Sequence, residues 1–164
     1  MKRFLAVVGM ALLAAASTAS ADIIWKFNGV TFSDGGTLSG TFTTNDTLDS
    51  LLGFDLLTSG GASVGFHYTP GTANSLSSLP AILVLEPASL DHILQVTFLG
   101  GLSALGATIT IGQFDSFEQI GSVHREITAG SVAPATTVPE PATLLLLGAG
   151  LIGLFFQGRR RNQR

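Results

Sequence analysis

Between residue 22 and about residue 133, short runs of alternating apolar and polar side chains are broken by Gly, Ser, Thr, Asn and Asp, and helical periodicity is scarce. Successive side chains of a strand point to opposite faces, so this period of two predicts many short strands with one dry and one wet face. In Thr37-Leu38-Ser39-Gly40-Thr41-Phe42-Thr43, Leu38 and Phe42 fall on one side, and Thr37, Ser39, Thr41 and Thr43 on the other. The preceding Ser33-Asp34-Gly35-Gly36 tolerates positive φ, which predicts a hairpin of residues 23–32 with 37–43. Similar alternation groups Val64, Phe66 and Tyr68, then Leu94, Val96 and Phe98, then Ile109 and Ile111. Five or more one-sided strands have to cover one another, and two packed antiparallel sheets do this. The expected fold is therefore mainly β, a single antiparallel β-sandwich or jelly-roll-like domain.

The two ends follow other rules. Residues 1–21 read MKRFLAVVGMALLAAASTASA: a basic start, an apolar stretch from Phe4 to Ala16 and a small-residue close at Ala19-Ser20-Ala21. That is the layout of a secretion signal peptide, with Ala19 and Ala21 as the signal-peptidase site and Asp22 as the new N-terminus. At the other end Pro134, Pro139 and Pro141 favour extended backbone. From Ala142 to Phe156 no residue is charged. A helix of that length is about 22 Å long, and with Gln157 and Gly158 it just spans a hydrocarbon core of about 30 Å. Gly148, Ala149, Gly150 and Gly153 give that helix a small-residue stripe on which another membrane helix can pack closely. Arg159, Arg160 and Arg161 then act as a cytoplasmic stop, so the tail helix lies in membrane lipid, at least in transit, with the body held outside. The expected organisation is signal peptide 1–21, β-rich extracytoplasmic domain 22–128, Pro/Thr linker 129–141, transmembrane helix 142–158 and basic tail 159–164. The linker composition suits an exposed stalk and O-glycosylation.

Charge placement excludes one class of partner. Six of the eight Lys and Arg lie at the extreme ends, leaving Lys26 and Arg125 to face eleven acidic residues. Binding nucleic acid requires several cations to displace phosphate counterions, so nucleic acid is not a partner. With no cysteine, the chain has no disulfide, thiolate metal site, cysteine nucleophile or lipidation site, and its stability comes from packing.

The succession Val138, Pro139, Glu140, Pro141, Ala142 and Thr143, a Leu/Gly-rich run and a terminal arginine cluster resembles the PEP-CTERM sorting signal of Gram-negative bacteria. The resemblance covers about the last 27 residues. It implies recognition by an exosortase, a membrane transpeptidase acting at the outer face of the inner membrane, with this protein as its substrate. A rigid extended segment needs little ordering to enter a cleft, and Glu140 offers one charge to read. The same kind of tail also goes under an ice-binding protein C-terminal label, which carries no information about ice. The stretch from Trp25-Lys26-Phe27-Asn28-Gly29-Val30 through Gly40-Thr41-Phe42, with residues 125–132, looks like a body often attached to such tails.

Residues able to do chemistry are few and scattered. His67, His92 and His124 have no second ligand at close spacing, and His67 and His124 fall on polar strand sides, so no metal site or cofactor is expected. Serines and aspartates are abundant, and Gly61-Ala62-Ser63-Val64-Gly65 has the Gly-x-Ser-x-Gly spacing, but no helical run follows it to make the strand-to-helix turn of a nucleophile elbow. Glu118 and Glu126 form a candidate carboxylate pair that an acidic strand face also explains. Asp34, Asp46, Asp49 and Asp55 read as solvated turn residues, since no dense Asp-x-Asp-x-Asp-Gly loop holds them. Two outward threonine pairs, Thr41 with Thr43 and Thr108 with Thr110, are too few for a regular binding array. Arg125 shares parity with Val123 and Ile127, so partial burial against Glu118 in a structural role is expected. The expectation is an exported, non-enzymatic cell-surface or matrix protein, sorted by an exosortase after signal peptidase has acted, with extracellular polysaccharide as a further partner. A secreted glycan-binding module or hydrolase with the same tail, and a permanently anchored single-pass protein, are the alternatives.

Overall fold

The computed structural model describes residues 22–103, 106–136 and 150. Asp22–Thr137 form one compact unit, and the two ends of the chain fall outside it. The signal-peptide, tail-helix and arginine segments expected from the sequence lie outside the described residues, Gly150 apart. Among the described residues no helix is long and apolar enough to cross a membrane.

Among the described residues the unit has ten strands: β1 (Ile23–Phe32), β2 (Thr37–Thr44), β3 (Leu51–Ser59), β4 (His67–Tyr68), β5 (Asn74–Ser75), β6 (Ile82–Glu86), β7 (His92–Thr97), β8 (Ile109–Thr110), β9 (Phe117–Ile120) and β10 (Val123–Thr136). All pairings are antiparallel, in the order β4-β3-β2-β1-β10-β9-β7-β6-β5, with β8 also on β10. The expected hairpin is present, with Thr31 opposite Thr37 in β1 and β2. β10 holds the molecule together. Its first residues, Val123 to Glu126, pair with β9, and from Ile127 onward it pairs with β1.

The sheet is curled. Strands β4 and β9 are five steps apart in the order, which at about 4.8 Å per step would put them about 24 Å apart in a flat sheet. Instead the Tyr68 hydroxyl of β4 donates to Glu118 of β9 at 2.8 Å, and Phe42 of β2 stacks on Phe98, just past β7, at 5.7 Å between centroids. The two halves close over one core that includes Trp25, Phe27, Phe42, Leu56, Leu83, Leu85, Leu94, Val96, Ile111 and Val132. Full burial of a Phe, Leu or Val side chain stabilises by about 1.5–3 kcal/mol. The Trp25 indole N–H, also buried, donates to Thr44 Oγ1 at 3.1 Å and so is not left unpaired.

Bulges in β1 and β10 account for the bend. In β1 the inward residues are Trp25 and Phe27, then Val30 and Phe32, so strand parity changes at residues 28–30. There β1 carries an extra residue relative to both neighbours. A bulge bends its strand and increases the local twist. The neighbours facing it are Gly40 (φ +115) and Gly130 (φ +136), where a β-carbon would lie 2.1 Å from Asp55 O and 2.6 Å from Val30 Cγ2 respectively. Only glycine lets β2 lie so close to β3, and β10 so close to β1, in that backbone conformation.

Two sequence expectations are corrected. Val64 does not join Phe66 and Tyr68 on a core-facing strand: it is 82% exposed. The segment before Phe66 is held as a loop, because Asp34 accepts the Ala62 N–H and Thr58 Oγ1 accepts the Phe66 N–H. Residues 129–136, expected as part of an exposed linker, are strand. They continue β10 along β1 as far as the Ile24–Thr136 pair, with Val132 fully buried. Small and Thr-rich composition suggests a stalk only where no neighbouring strand supplies hydrogen bonds, and β1 supplies them.

Candidate functional site

At one end of the β1–β10 pair the charged groups of the core converge. The two-residue turn Gly121-Ser122 sets the β9–β10 register so that Glu118 lies opposite Arg125, and both point inward at 0% and 1% exposure. Arg125 Nε donates to Glu118 Oε2 at 2.8 Å, and Nη2 donates to the same oxygen. Glu118 Oε1 accepts from Thr58 Oγ1 at 2.9 Å and from the Tyr68 hydroxyl. The remaining guanidinium nitrogen, Nη1, donates to Asp34 Oδ2 and to Gly60 O, each at 3.2 Å. The guanidinium carbon lies 4.3 Å from the centre of the Phe32 ring, a cation–π arrangement.

Every member of this cluster is hydrogen-bonded, the condition under which a buried ion pair is tolerated. Burial pushes the Tyr68 phenol well above its usual range, and the neighbouring Glu118 carboxylate adds to this, so Tyr68 remains a proton donor. Burial alone would raise the Asp34 carboxyl. The Gly36 N–H, Arg125 and the Ala62 N–H outweigh it and hold Asp34 below the ordinary carboxylate value. Asp34 therefore adds stability above its unfolded-state pKa, and that contribution is lost as the pH falls through its depressed folded value. The cluster ties the β1–β2 turn, the end of β3, β4, β9 and β10 together, but it presents no reactive atom to solvent.

The expected burial of Arg125 against Glu118 is thus observed. Arg125 shares its inward face with Ile127, whereas Val123, at the strand start, is 48% exposed. Glu118 and Glu126 do not form a pair. Glu118 is sealed inside and Glu126 is exposed, so the expected shared acidic face is corrected by strand parity. Asp34, Thr58 and Tyr68 were not legible as partners, because each comes from a different segment.

The histidines are separate from one another. His67 Nε2 lies 2.7 Å from Asp55 Oδ1 on the surface, and the His124 ring packs on Phe117 at 4.7 Å. His92 stacks on Phe66 at 4.5 Å; its Nδ1 lies 3.2 Å from Asp91 Oδ1 but off line, and has no hydrogen-bond partner. Asp49 accepts from Asn45 and Ser50, and these bonds, with one from Thr47, hold its carboxyl low. Among the described residues no three His, Asp or Glu gather as a metal-binding group.

The other end of the β1–β10 pair is where the described body meets the two terminal segments that the sequence reads as processing signals. β1 starts at Ile23, two positions after Ala21, and β10 ends at Thr136, three positions before Pro139. Since Ile24 and Thr136 are partners, both chain ends leave the body at the same end of the same strand pair. The residues of the expected sorting motif, Val138 to Thr143, the stop at Arg159 to Arg161, and Ala19 and Ala21 lie outside the described residues.

An all-β body whose last strand leads directly into a Pro-Glu-Pro segment, an uncharged run and a basic end defines a class: a domain carried by a C-terminal sorting tag. Residues 137–161 match the family described as the PEP-CTERM protein-sorting motif, and the chain carries that motif. The motif implies export and exosortase-dependent, membrane-associated processing that sorts the protein to the cell surface or exterior. No curated protein and no solved structure matches the chain.

Proposed function

We propose that this is a non-enzymatic cell-surface or extracellular-matrix protein whose body is a passive β-sandwich delivered by its tag. The observation that carries the reading is the PEP-CTERM motif at residues 137–161, which begins where the folded body ends. Signal peptidase and an exosortase act on the chain, and a transmembrane helix over 142–158 holds it in membrane lipid between the two steps. The strand start at Ile23 supports cleavage after Ala21, since the fold then needs nothing upstream. The curled sheet, with β10 in both halves, supports the sandwich. The passive role is supported by the sealing of Glu118 and Arg125 inside a satisfied cluster and by an exposed body surface that carries Lys26 as its one Lys or Arg. Extracellular polysaccharide is the matrix into which the mature protein is delivered, contacted without a saturable binding site on the body.

The test compares producing cells with and without the exosortase. Fractionation and mass spectrometry are expected to find a body lacking Arg164 at the surface or in the medium in the first case, and an intact C-terminus in the inner membrane in the second. An intact Arg164 on exported protein from exosortase-containing cells would show a permanent anchor instead. Saturable polysaccharide binding or ester turnover by the purified body would overturn the passive role.

A further inference from the structure

The folded sheet ends very close to the sorting motif. Thr137 and Val138 are the two residues between the last paired position, Thr136, and Pro139. Three backbone steps reach about 10 Å at full extension, comparable with the thickness of one layer of packed sheet. An enzyme cleft that encloses an extended peptide on both sides of the motif therefore meets the body itself.

The end of β10 is constructed differently from the rest of the strand. Val123 to Glu126 pair with β9 and Ile127 onward pairs with β1; besides β1, Ile127 N–H donates to Ser116 O, Gly130 O accepts from Ile111 N–H, and Ser131 and Val132 pair with β8. Beyond Val132, among the described residues, it pairs with β1 alone. Pro134 brings no N–H to the ladder. Ala135 has no partner in β1, because the register slips between Ile24–Thr136 and Trp25–Pro134. Ala133 and Pro134 are only half-buried and Ala135 is exposed, whereas Val132 is fully buried. The secure part of the strand therefore stops at Val132.

We propose that residues 133–136 are a releasable strap, zipped onto β1 in the folded protein and peeled off when the sorting enzyme takes the motif. Release through Ala133 leaves seven steps between Val132 and Pro139, a reach of about 24 Å. The core and the Arg125 cluster at the far end of the strand pair are untouched. The inference rests on exosortase processing of the motif, and its test separates the two ideas.

Ile24→Cys combined with Thr136→Cys joins two register partners in a chain with no other cysteine, at the spacing that paired antiparallel residues and disulfides share. In exosortase-containing cells, pulse-chase with C-terminal mass analysis is expected to find tail removal at least tenfold slower for the oxidised double variant. Each single-cysteine variant, and the double variant in cells treated with reductant, should process at the parent rate. Inserting eight Gly/Ser residues between Thr136 and Thr137 of the stapled chain should restore that rate, an outcome that misfolding of the stapled body would not give. If the stapled protein does not accumulate, Pro134→Val carries the test: it supplies the missing N–H and a strand-favouring side chain, and is expected to slow processing several-fold. A stapled chain, or in its absence the Val variant, processed at the parent rate overturns the strap. An unmodified chain that keeps its tail in the same cells overturns the sorting reading and the strap with it.

Discussion

Arg125 is the residue whose environment says most about how this body holds together. Its guanidinium is buried, faces a carboxylate on each side and lies over Phe32, so the cost of desolvating it is met by four hydrogen bonds and a ring contact rather than by one partner. Removing one partner leaves the other charged and buried. Glu118→Gln is expected to lower unfolding stability by about 3 kcal/mol, and Arg125→Met by a similar amount. Because the two act as a unit, the double variant should lose at least about 1 kcal/mol less than the sum. Urea unfolding of the four proteins checks this, and additive losses would mean that the pair is not coupled. The same burial explains why neither residue is available for chemistry at the surface.

At the scale of elements, the decisive feature is the crossing of β1 and β10. Each strand changes its inward parity part-way along: β1 between Phe27 and Val30, β10 between Ile127 and Val132. This lets one continuous strand serve both halves of the sheet. The crossing depends on close backbone approach at Gly130, where a β-carbon would lie 2.6 Å from Val30 Cγ2 and 2.8 Å from its Cα. Gly130→Ala is expected to cost about 1–3 kcal/mol through overpacking. Gly53→Ala in β3, where a β-carbon meets nothing within 4 Å, should stay within about 0.5 kcal/mol of the parent. Thermal or urea unfolding of the two variants distinguishes a crowded crossing from a general preference for glycine.

Over the whole molecule, one polar cluster and one exit are set at opposite ends of the central strand pair. β1 has ten residues from Ile23 to Phe32, which at about 3.3 Å each puts about 30 Å between the Asp34 turn and the chain ends. Processing at one end therefore leaves the charged latch at the other intact. The single tryptophan, Trp25, is fully buried beside Phe42, which in turn stacks on Phe98 from the other half. Its fluorescence thus reports on the contact between halves. Urea unfolding followed by Trp25 fluorescence and by far-UV circular dichroism should coincide as one transition, unchanged by reductant since the chain has no cysteine. Separate midpoints would show that the half formed by β5, β6, β7 and β9 unfolds on its own.

The sequence by itself determined the class of fold and the sorting tag. Both are written in local patterns: a period of two for strands, and an ordered proline, apolar and arginine succession for the tail. It also placed the first hairpin and the inward residues of β7, where apolar and polar positions alternate without interruption. What it left open depended on contacts between distant segments. The gathering of Asp34, Thr58 and Tyr68 around Arg125 joins residues up to 91 positions apart, and nothing in any one segment signals it. The burial of Glu118 and the exposure of Glu126 followed from a register that only the β9–β10 turn sets. The strand character of residues 129–136 was hidden for the same reason: Ala, Gly, Ser, Thr and Pro form a strand only when a neighbour offers hydrogen bonds. That neighbour, β1, begins about a hundred residues earlier in the chain.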